Sequence, residues 1–483
     1  MMIKKLYYEV FESEEKREKL IALKNALADE SNARVLKFEL AGDFSKLFSL
    51  LNEADDKVRK NAVQIMGVLG MDEYADVIYK AYKNEEKLFV KPAYLTTLLK
   101  LECSGLCDEF KERRKELDEA FYDSSATKHI IEDICILNKL ILKYDKAKQL
   151  KFTGYDEEYD IVLTTNRFCV DYLYDEIEAP FAKLKTAVRV KTNDIKSLMN
   201  IRIYNELLFA LNDLKKIPDG SVEDIAKELL DGDMLLILNK AHKADAYKFR
   251  VELRGDVDIS KKLAMECERI SKGKLINSIS DYDIEIRLVK TKDEDYIAFL
   301  KMYTLPDYRF NYRVNYVAAS IQPFNAALMM KLCEPYMKLN ARVLDPFCGV
   351  GTMLIERNKL CKADTLYGVN IFGQAITKAR ENVAITKIPV HFINRDFFDF
   401  THEYSFDEIV TNMPVLKDLK AENDIYKQFF EKVNELMNEG MIFIYSTNEK
   451  AIKANLTPNY RIVETFLMSK KDNTKVFVIK KVN

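Results

Sequence analysis

Glycine is scarce in this chain, with 14 in 483 residues, beside 10 prolines, 8 cysteines and 4 histidines. With so few, a local cluster of glycines marks a place where backbone freedom is used rather than filler. The cysteines (Cys103, Cys107, Cys135, Cys169, Cys267, Cys333, Cys348 and Cys361) are scattered, and Cys103 and Cys107 form the one close pair. His129, His242, His391 and His402 lie far from that pair in sequence, so no zinc-ligand spacing is present and no metal is expected. Lysine and arginine number 75 against 77 acidic residues. That balance excludes a chain that is basic throughout, and any surface for nucleic acid has to be local. No apolar run has the length needed to cross a bilayer, so no membrane partner is expected. The Met-Met-Ile-Lys-Lys start lacks the apolar centre of a secretory signal, and unpaired thiols then fit a cytoplasmic location. The length suggests about three domains.

The informative feature is Val343-Leu-Asp-Pro-Phe-Cys-Gly-Val-Gly-Thr352, followed by Met-Leu-Ile-Glu-Arg. An apolar strand ends at Asp345, a tight turn carries Gly349 and Gly351, and a helix starts near Thr352. Glycines at such a turn let the backbone approach a ligand, and the free amides of the helix start favour its negative groups. This points to a nucleotide-type cofactor at the carboxyl end of a parallel sheet. Neither G-x-G-x-x-G nor a Gly-Lys-Ser/Thr ending is present, which excludes the dinucleotide and phosphate-loop fingerprints. The plain alternative is an ordinary strand–loop–helix corner.

Asp345-Pro-Phe-Cys-Gly-Val-Gly-Thr352 resembles the first motif of the S-adenosylmethionine-dependent RNA methylases related to the THUMP-containing guanine-N2 methyltransferases. The resemblance implies that Asp345, Phe347, Gly349, Gly351 and Thr352 surround the methionine end of S-adenosylmethionine. A second strand, Thr365-Leu-Tyr-Gly-Val-Asn-Ile371, ends at Asn370, where the family usually carries an acid for the ribose hydroxyls. Asn370 can accept and donate but has no charge. Gln374 to Val383 reads as the following helix. A third strand, Val390 to Arg395, leads to Asp396 and Phe397, which the resemblance assigns to the adenine amine and the ring face. A turn or cap residue is the alternative for Asp396.

Asp407-Glu-Ile-Val-Thr-Asn-Met-Pro-Val415 stands where the family has Asn-Pro-Pro-Tyr or Asp-Pro-Pro-Tyr. By that resemblance Asn412 orients the exocyclic amine of the target base, and Pro414 keeps the second proline. Met413 replaces the first proline and Val415 the aromatic. Loss of base stacking costs about 1–3 kcal/mol unless another ring, Phe397 or Tyr426, takes its place. Downstream, Asp424 to Met437 has helical spacing, Gly440 to Tyr445 is a fully apolar strand, and Arg461–Met468 with Lys475–Lys480 reads as a hairpin.

In the middle third, Tyr247-Lys-Phe-Arg-Val-Glu-Leu-Arg254 alternates as a half-buried strand with a mostly basic outer face. A helix from Ser260 to Ile270 follows, then strands through Tyr282 to Leu288 and Tyr296 to Leu300, with Lys272-Gly-Lys274 between helix and strand. This order resembles the THUMP domain, and Tyr308 to Val314 with Ser320 to Leu328 resembles the connector into the methylase. A generic α+β domain is the alternative. Ile161 to Thr165 and Ala187 to Lys191 read as strands, and a helical stretch from Ser197 to Asn212 lies within a segment, Tyr155 to Asp245, that completes the module. Arg250, Arg254, Lys261, Arg309 and Arg313 are the candidate RNA contacts.

Residues 55–70 resemble a HEAT-type helical repeat, and Glu85 to Leu101 echoes them, with Val58 matching Phe89 and Ala62 matching Ala93. Lys111 to Asp145 is a candidate third pair. Lys91-Pro92 is tolerable near a helix start. Stacked pairs bury one another's apolar stripes and present a surface to a protein partner; an irregular bundle is the alternative.

The expected architecture is multidomain: an α-helical repeat domain (1–148), an α+β THUMP-like domain (152–312) and an α/β seven-stranded Rossmann-like methyltransferase domain (313–483). The resemblance implies methyl transfer to the N2 amine of a guanosine in a structured RNA (tRNA or rRNA). The departures at Asn370, Met413 and Val415 leave open an RNA-binding scaffold without turnover. A protein or small-molecule methylase is the third reading.

Overall fold

The computed structural model describes residues 2–40, 42–120, 127–144, 150–244, 246–318 and 320–482. Asp145, at the end of the candidate third repeat, Asp245, at the end of the middle segment, and the domain limits at 1, 148 and 483 lie outside the described residues. The chain divides by contact into two compact units, Met1–Lys151 with Leu214–Thr304 and Phe152–Asp213 with Leu305–Asn483. Each unit is assembled from two separated stretches, whereas the sequence reading placed its boundaries consecutively.

Strands are numbered along the chain. The second unit contributes β1 (Tyr159–Thr164), β2 (Phe181–Leu184), β3 (Ala187–Thr192) and β4 (Glu206–Ala210). The first contributes β5 (Tyr247–Leu253), β6 (Leu275–Asn277), β7 (Ile284–Lys290) and β8 (Tyr296–Met302). The second resumes with β9 (Arg342–Asp345), β10 (Thr365–Asn370), β11 (His391–Asn394), β12 (Glu408–Asn412), β13 (Gly440–Ser446), β14 (Tyr460–Ser469) and β15 (Thr474–Lys481).

The first unit opens with helices within residues 2–40, 42–120 and 127–144. Asp55 caps the helix Asp56–Leu69 by accepting from the amides of Lys57 and Val58, and Gly70 ends it in a left-handed conformation at φ 62°. Thr97 on Lys91–Lys100 donates to the Val63 carbonyl at 2.9 Å. A Cβ on Gly67 would stand 3.2 Å from Thr97, so glycine permits this close crossing. Pro92 falls in the first turn of its helix, where its missing N–H costs nothing. The helix starts at Lys91, so Phe89 precedes it while Val58 lies inside its own helix; the 31-residue echo does not describe equivalent positions. Helix Thr127–Tyr144 packs on the unit's mixed layer: Asn138 donates to the Gly273 carbonyl at 2.8 Å and Lys139 pairs with Glu268 at 3.0 Å. Gly273 has φ +76° and a Cβ there would lie 2.5 Å from Asn138, so the Lys272-Gly-Lys274 turn is shaped by packing.

β5 shows the expected alternation of buried and half-buried residues. It runs parallel to β6 and β7, and β7 is antiparallel to β8. β6 is too short to give a periodic signal and went unread in the sequence. In the second unit, β1 pairs antiparallel with β3 and β4. The helix expected from Ser197 to Asn212 is instead a short helix, Ile195–Asn200, followed by β4. Asp194 caps that helix, and pairing with β1 buries Leu208, Phe209 and Ala210, a tertiary gain that overrides local helix preference.

The carboxyl-terminal sheet has the order β11-β10-β9-β12-β13-β15-β14, parallel except for the β14–β15 hairpin, in which β15 also runs antiparallel to β13. Helices Thr352–Leu360, Gly373–Thr386 and Leu419–Leu436 alternate with its parallel strands. The order reverses between β9 and β12, where an open α/β sheet leaves a crevice beyond its strand ends. Among the described residues no helix is long and apolar enough to cross a membrane.

Candidate active site

β9, β10 and β12 are parallel and end on the same side of the sheet, placing Asp345, Asn370 and Asn412 at three neighbouring strand ends. Between them lies a cavity of about 500 Å³, within the range of small-molecule sites. Its lining includes Asp345, Phe347, Gly349, Thr352, Asn370, Asp396, Phe397, Asn412 and Pro414. Gly351 sits behind the lining and caps the helix Thr352–Leu360 at φ 82°.

The glycine turn is held from several sides. The Cys348 amide donates to the Val369 carbonyl at 3.0 Å, and the Gly351 amide to the Cys348 carbonyl at 2.8 Å. Gly349 has φ +51° with open space where a Cβ would be, while a Cβ on Gly351 would lie 3.0 Å from Phe392 Cζ. The fully buried Asn382 donates to the Val350 carbonyl at 3.2 Å and to the Asn315 carbonyl at 3.0 Å, and accepts from the Asn315 amide at 2.9 Å. Asn382 was missed in the sequence; the available signal was a polar residue on the apolar side of the helix Gly373–Thr386.

Asp345 is 1% exposed and accepts from the Phe347 amide at 3.1 Å. Burial pushes its carboxyl up to about 8, opposed by that amide and by Thr411. Asn370 Oδ1 accepts from the Phe372 amide at 2.9 Å, which leaves its NH2 as the group with donors to offer. Asp396 accepts from the Phe398 amide at 3.0 Å and caps the short turn Phe397–Asp399, so it serves as a cap and also lines the cavity. The Met413 amide donates to the Tyr445 carbonyl at 3.0 Å and its side chain is buried, fixing the backbone beside Asn412 without the family's first proline.

Val415 is 69% exposed at the cavity mouth. Tyr426 is buried, with its hydroxyl 2.5 Å from Ser446 Oγ, so it offers no face to a base. Phe397 is 2% exposed and packed by Phe347 and Phe398 at centroid distances of 5.6 Å and by Phe429 at 6.1 Å. Phe347 and Phe398 are the half-buried rings of that cluster that also line the cavity.

The candidate RNA contacts separate into two groups. Arg309 is 7% exposed: it pairs with Asp307 at 2.7 Å, donates to the Tyr204 carbonyl at 2.6 Å and stacks 3.5 Å from the Tyr204 centroid. Arg250 pairs with the fully buried Glu285 at 2.5 Å and lies over Tyr282 at 4.2 Å. Each arginine is thus engaged with a carboxylate of the chain itself, and Arg309 also with the buried Tyr204. Arg254 and Lys261 are exposed, and Arg313 is half-buried beside the cavity wall. Glu356, also unread in the sequence, is buried and takes Arg202 at 2.7 Å and the Tyr312 hydroxyl at 2.6 Å.

The cavity lining holds two carboxylates, Asp345 and Asp396, and among the described residues no lysine, arginine or histidine. Thr352 Oγ1 is buried in the lining without a hydrogen-bond partner. An acidic, largely apolar hollow with free amides at a helix start suits a ligand that joins a sulfonium and an ammonium to a carboxylate. S-adenosylmethionine fits these residues.

Comparison with known proteins agrees. Residues 310–470 match the family model described as UPF0020, RMKL-like, methyltransferase domain. An uncharacterized protein of Mycoplasma genitalium, MG259, is 28% identical over a match covering 28% of this chain, which spans 36% of that protein's length. TrmN from Thermus thermophilus superposes with a TM-score of 0.50 at 17% identity, covering 67% of this chain and 99% of that one. SMU.472, solved in complex with SAH, superposes with a TM-score of 0.50 at 14% identity, covering 68% and 98%. Such identities establish a shared fold. Together with the family match, they make residues 310–470 a methyltransferase domain whose methyl donor is S-adenosylmethionine.

Proposed function

We propose that this chain transfers a methyl group from S-adenosylmethionine to the N2 amine of a guanosine in tRNA or rRNA. The observation that carries the proposal is that Asn412 lines one cavity with Gly349, Val350 and Thr352 of the glycine turn. The bound donor supplies an electrophilic methyl group on a sulfonium, which calls for no metal. Asp345 and the amides of the turn hold the methionine end, Asn370 and Asp396 the ribose and adenine. The Asn412 side-chain carbonyl accepts a hydrogen bond from the exocyclic amine and so turns its lone pair toward the methyl group. Pro414 restricts the backbone that follows.

Support for RNA comes from the THUMP-like order of β5, a helix, β7 and β8, with the short β6 added between helix and β7, and from the exposed Arg254 and Lys261 on the same layer. The match to TrmN covers 67% of this chain, more than the methyltransferase domain of residues 310–470, which is consistent with this. The HEAT-like helices would present a surface to a protein partner in the cytoplasm. The test is the nucleoside profile of RNA from a deletion strain. A methylated guanosine should disappear, return with the wild-type chain and stay absent with Asn412→Ala; an unchanged profile refutes the proposal.

The exposed aliphatic Val415 and the uncharged Asn370 favour a second reading, an RNA-binding scaffold without turnover. Calorimetry separates the two: micromolar binding of S-adenosylmethionine supports the enzyme, and RNA binding without it supports the scaffold. Failure to bind RNA, with donor binding intact, would direct attention to a protein or small-molecule substrate.

A further inference from the structure

Among the described residues the cavity lining offers no lysine, arginine or histidine to a phosphate, yet a polynucleotide brings a phosphate within a few ångströms of every base. A cation is therefore needed at the rim. The wall formed by Val317, Ser320 and Ile321 has one behind it. Arg313 donates to Gln322 Oε1 and to the Ile321 carbonyl, both at 3.1 Å, and both acceptors are neutral. Its Nε is buried and, among the described residues, is the one guanidinium N–H in that state without an acceptor. Burial holds its guanidinium below the ordinary arginine value. A half-buried cation without a counter-anion is destabilising unless a ligand completes it. Other arginines of this unit show the contrast: Arg189, Arg202, Arg309 and Arg357 all meet carboxylates.

Beside it, Tyr316 is 69% exposed, with its ring 5.9 Å from the Arg313 guanidinium. Its backbone is anchored, because Lys378 donates to the Tyr316 carbonyl at 3.1 Å and Asn382 fixes the neighbouring Asn315. An exposed ring on a held backbone is a stacking surface whose ordering is already in place.

We infer that Arg313 receives a backbone phosphate of the nucleic-acid substrate at the cavity rim, with Tyr316 offering a stacking face to an adjoining base. This rests on the proposed RNA methylation; Tyr316 lies outside the cavity lining, so its stack is on a neighbouring base and adds to the contacts of the target base in the cavity.

The test is retention of labelled, unfractionated tRNA and rRNA by the full chain over a range of salt, paired with calorimetry of S-adenosylmethionine. Arg313→Gln should weaken RNA binding about tenfold and flatten the log–log salt slope by about one, as loss of one phosphate contact does. Donor affinity should stay within twofold. Tyr316→Ser, at an exposed position where folding is not at stake, should weaken RNA binding about fivefold or more with the salt slope unchanged. RNA affinity and slope unaltered by Arg313→Gln would overturn the inference. So would a tenfold loss of donor affinity with RNA binding intact, since the anion would then be the donor's carboxylate. If both variants behave as expected while wild type transfers no methyl group, the inference stands and the methylation proposal falls.

Discussion

Asp345 should make donor binding depend on pH. Its carboxyl lies at about 8 because burial disfavours the charged form. At pH 6 only about 1% is ionised and at pH 9 about 90%, since each pH unit below the midpoint removes a factor of ten. If the ionised carboxylate is the form that meets the donor's cationic end, affinity should climb about tenfold per unit from pH 6 toward 8. It should then level and turn down where the donor's own amine loses its proton, near the α-amino range. At pH 7 binding should release close to one proton, measurable by calorimetry in two buffers of different ionisation heat. Asp345→Asn should remove both the rising limb and the proton release. The free protein carries the matching signature. Below the ordinary carboxylate value of 3.8 Asp345 is protonated folded or unfolded. Between about 4 and 8 the unfolded chain gives up a proton that the folded chain keeps, so this group's contribution to stability falls as pH rises, by up to ~1.4 kcal/mol per unit, and is flat above 8. Denaturation midpoints of wild type and Asp345→Asn compared across that window isolate the effect. A wild-type protein with pH-independent donor affinity, no proton release and no such difference would refute this account of the carboxyl.

Asn370→Asp should tighten S-adenosylmethionine binding about tenfold by calorimetry, because one oxygen can keep the Phe372 amide while the other accepts a ribose hydroxyl with full charge. Weaker binding would show that the asparagine NH2 is the group in use. Asn412→Ala should lower the rate of methyl transfer by roughly a hundredfold while leaving donor affinity unchanged, since its task is orientation of the acceptor; an equal loss in both would place it in the cofactor site. Gly351→Ala puts a side chain at φ +82° and 3.0 Å from Phe392, so it should cost about 1–2 kcal/mol in chemical denaturation and abolish most donor binding. A fully stable variant would contradict the strain argument.

The parallel sheet and its crevice were legible because three apolar strands each end in a polar residue ahead of a helix: Asp345, Asn370 and Asn412. Strong periodicity and a glycine turn in a glycine-poor chain are local signals. What remained hidden was contact made over long stretches of sequence. Nothing adjacent to Glu356 announces that Arg202 and Tyr312 satisfy it, and nothing near Arg309 announces the carbonyls of Ile201 and Tyr204. The helix expected after Ser197 failed for the same reason: the partner that turns Glu206–Ala210 into a strand lies some 45 residues earlier. Arginines look alike in a sequence, and it is their acceptors, carboxylates for Arg250 and Arg309 and neutral groups for Arg313, that separate them.

Because the second unit recruits Phe152–Asp213 as well as Leu305–Asn483, the catalytic segment is not a severable piece. Cutting before residue 313 would strip Arg202 from Glu356, Glu176 from Lys331 and Asn166 from the Met468 carbonyl, exposing a carboxylate and an edge that the intact chain keeps covered. On the ribosome, Asn166, Glu176 and Arg202 must wait until residues 214–304 of the other unit have been made before Met468, Lys331 and Glu356 emerge. An excised carboxyl-terminal fragment should therefore unfold at lower denaturant than the same residues within the intact chain.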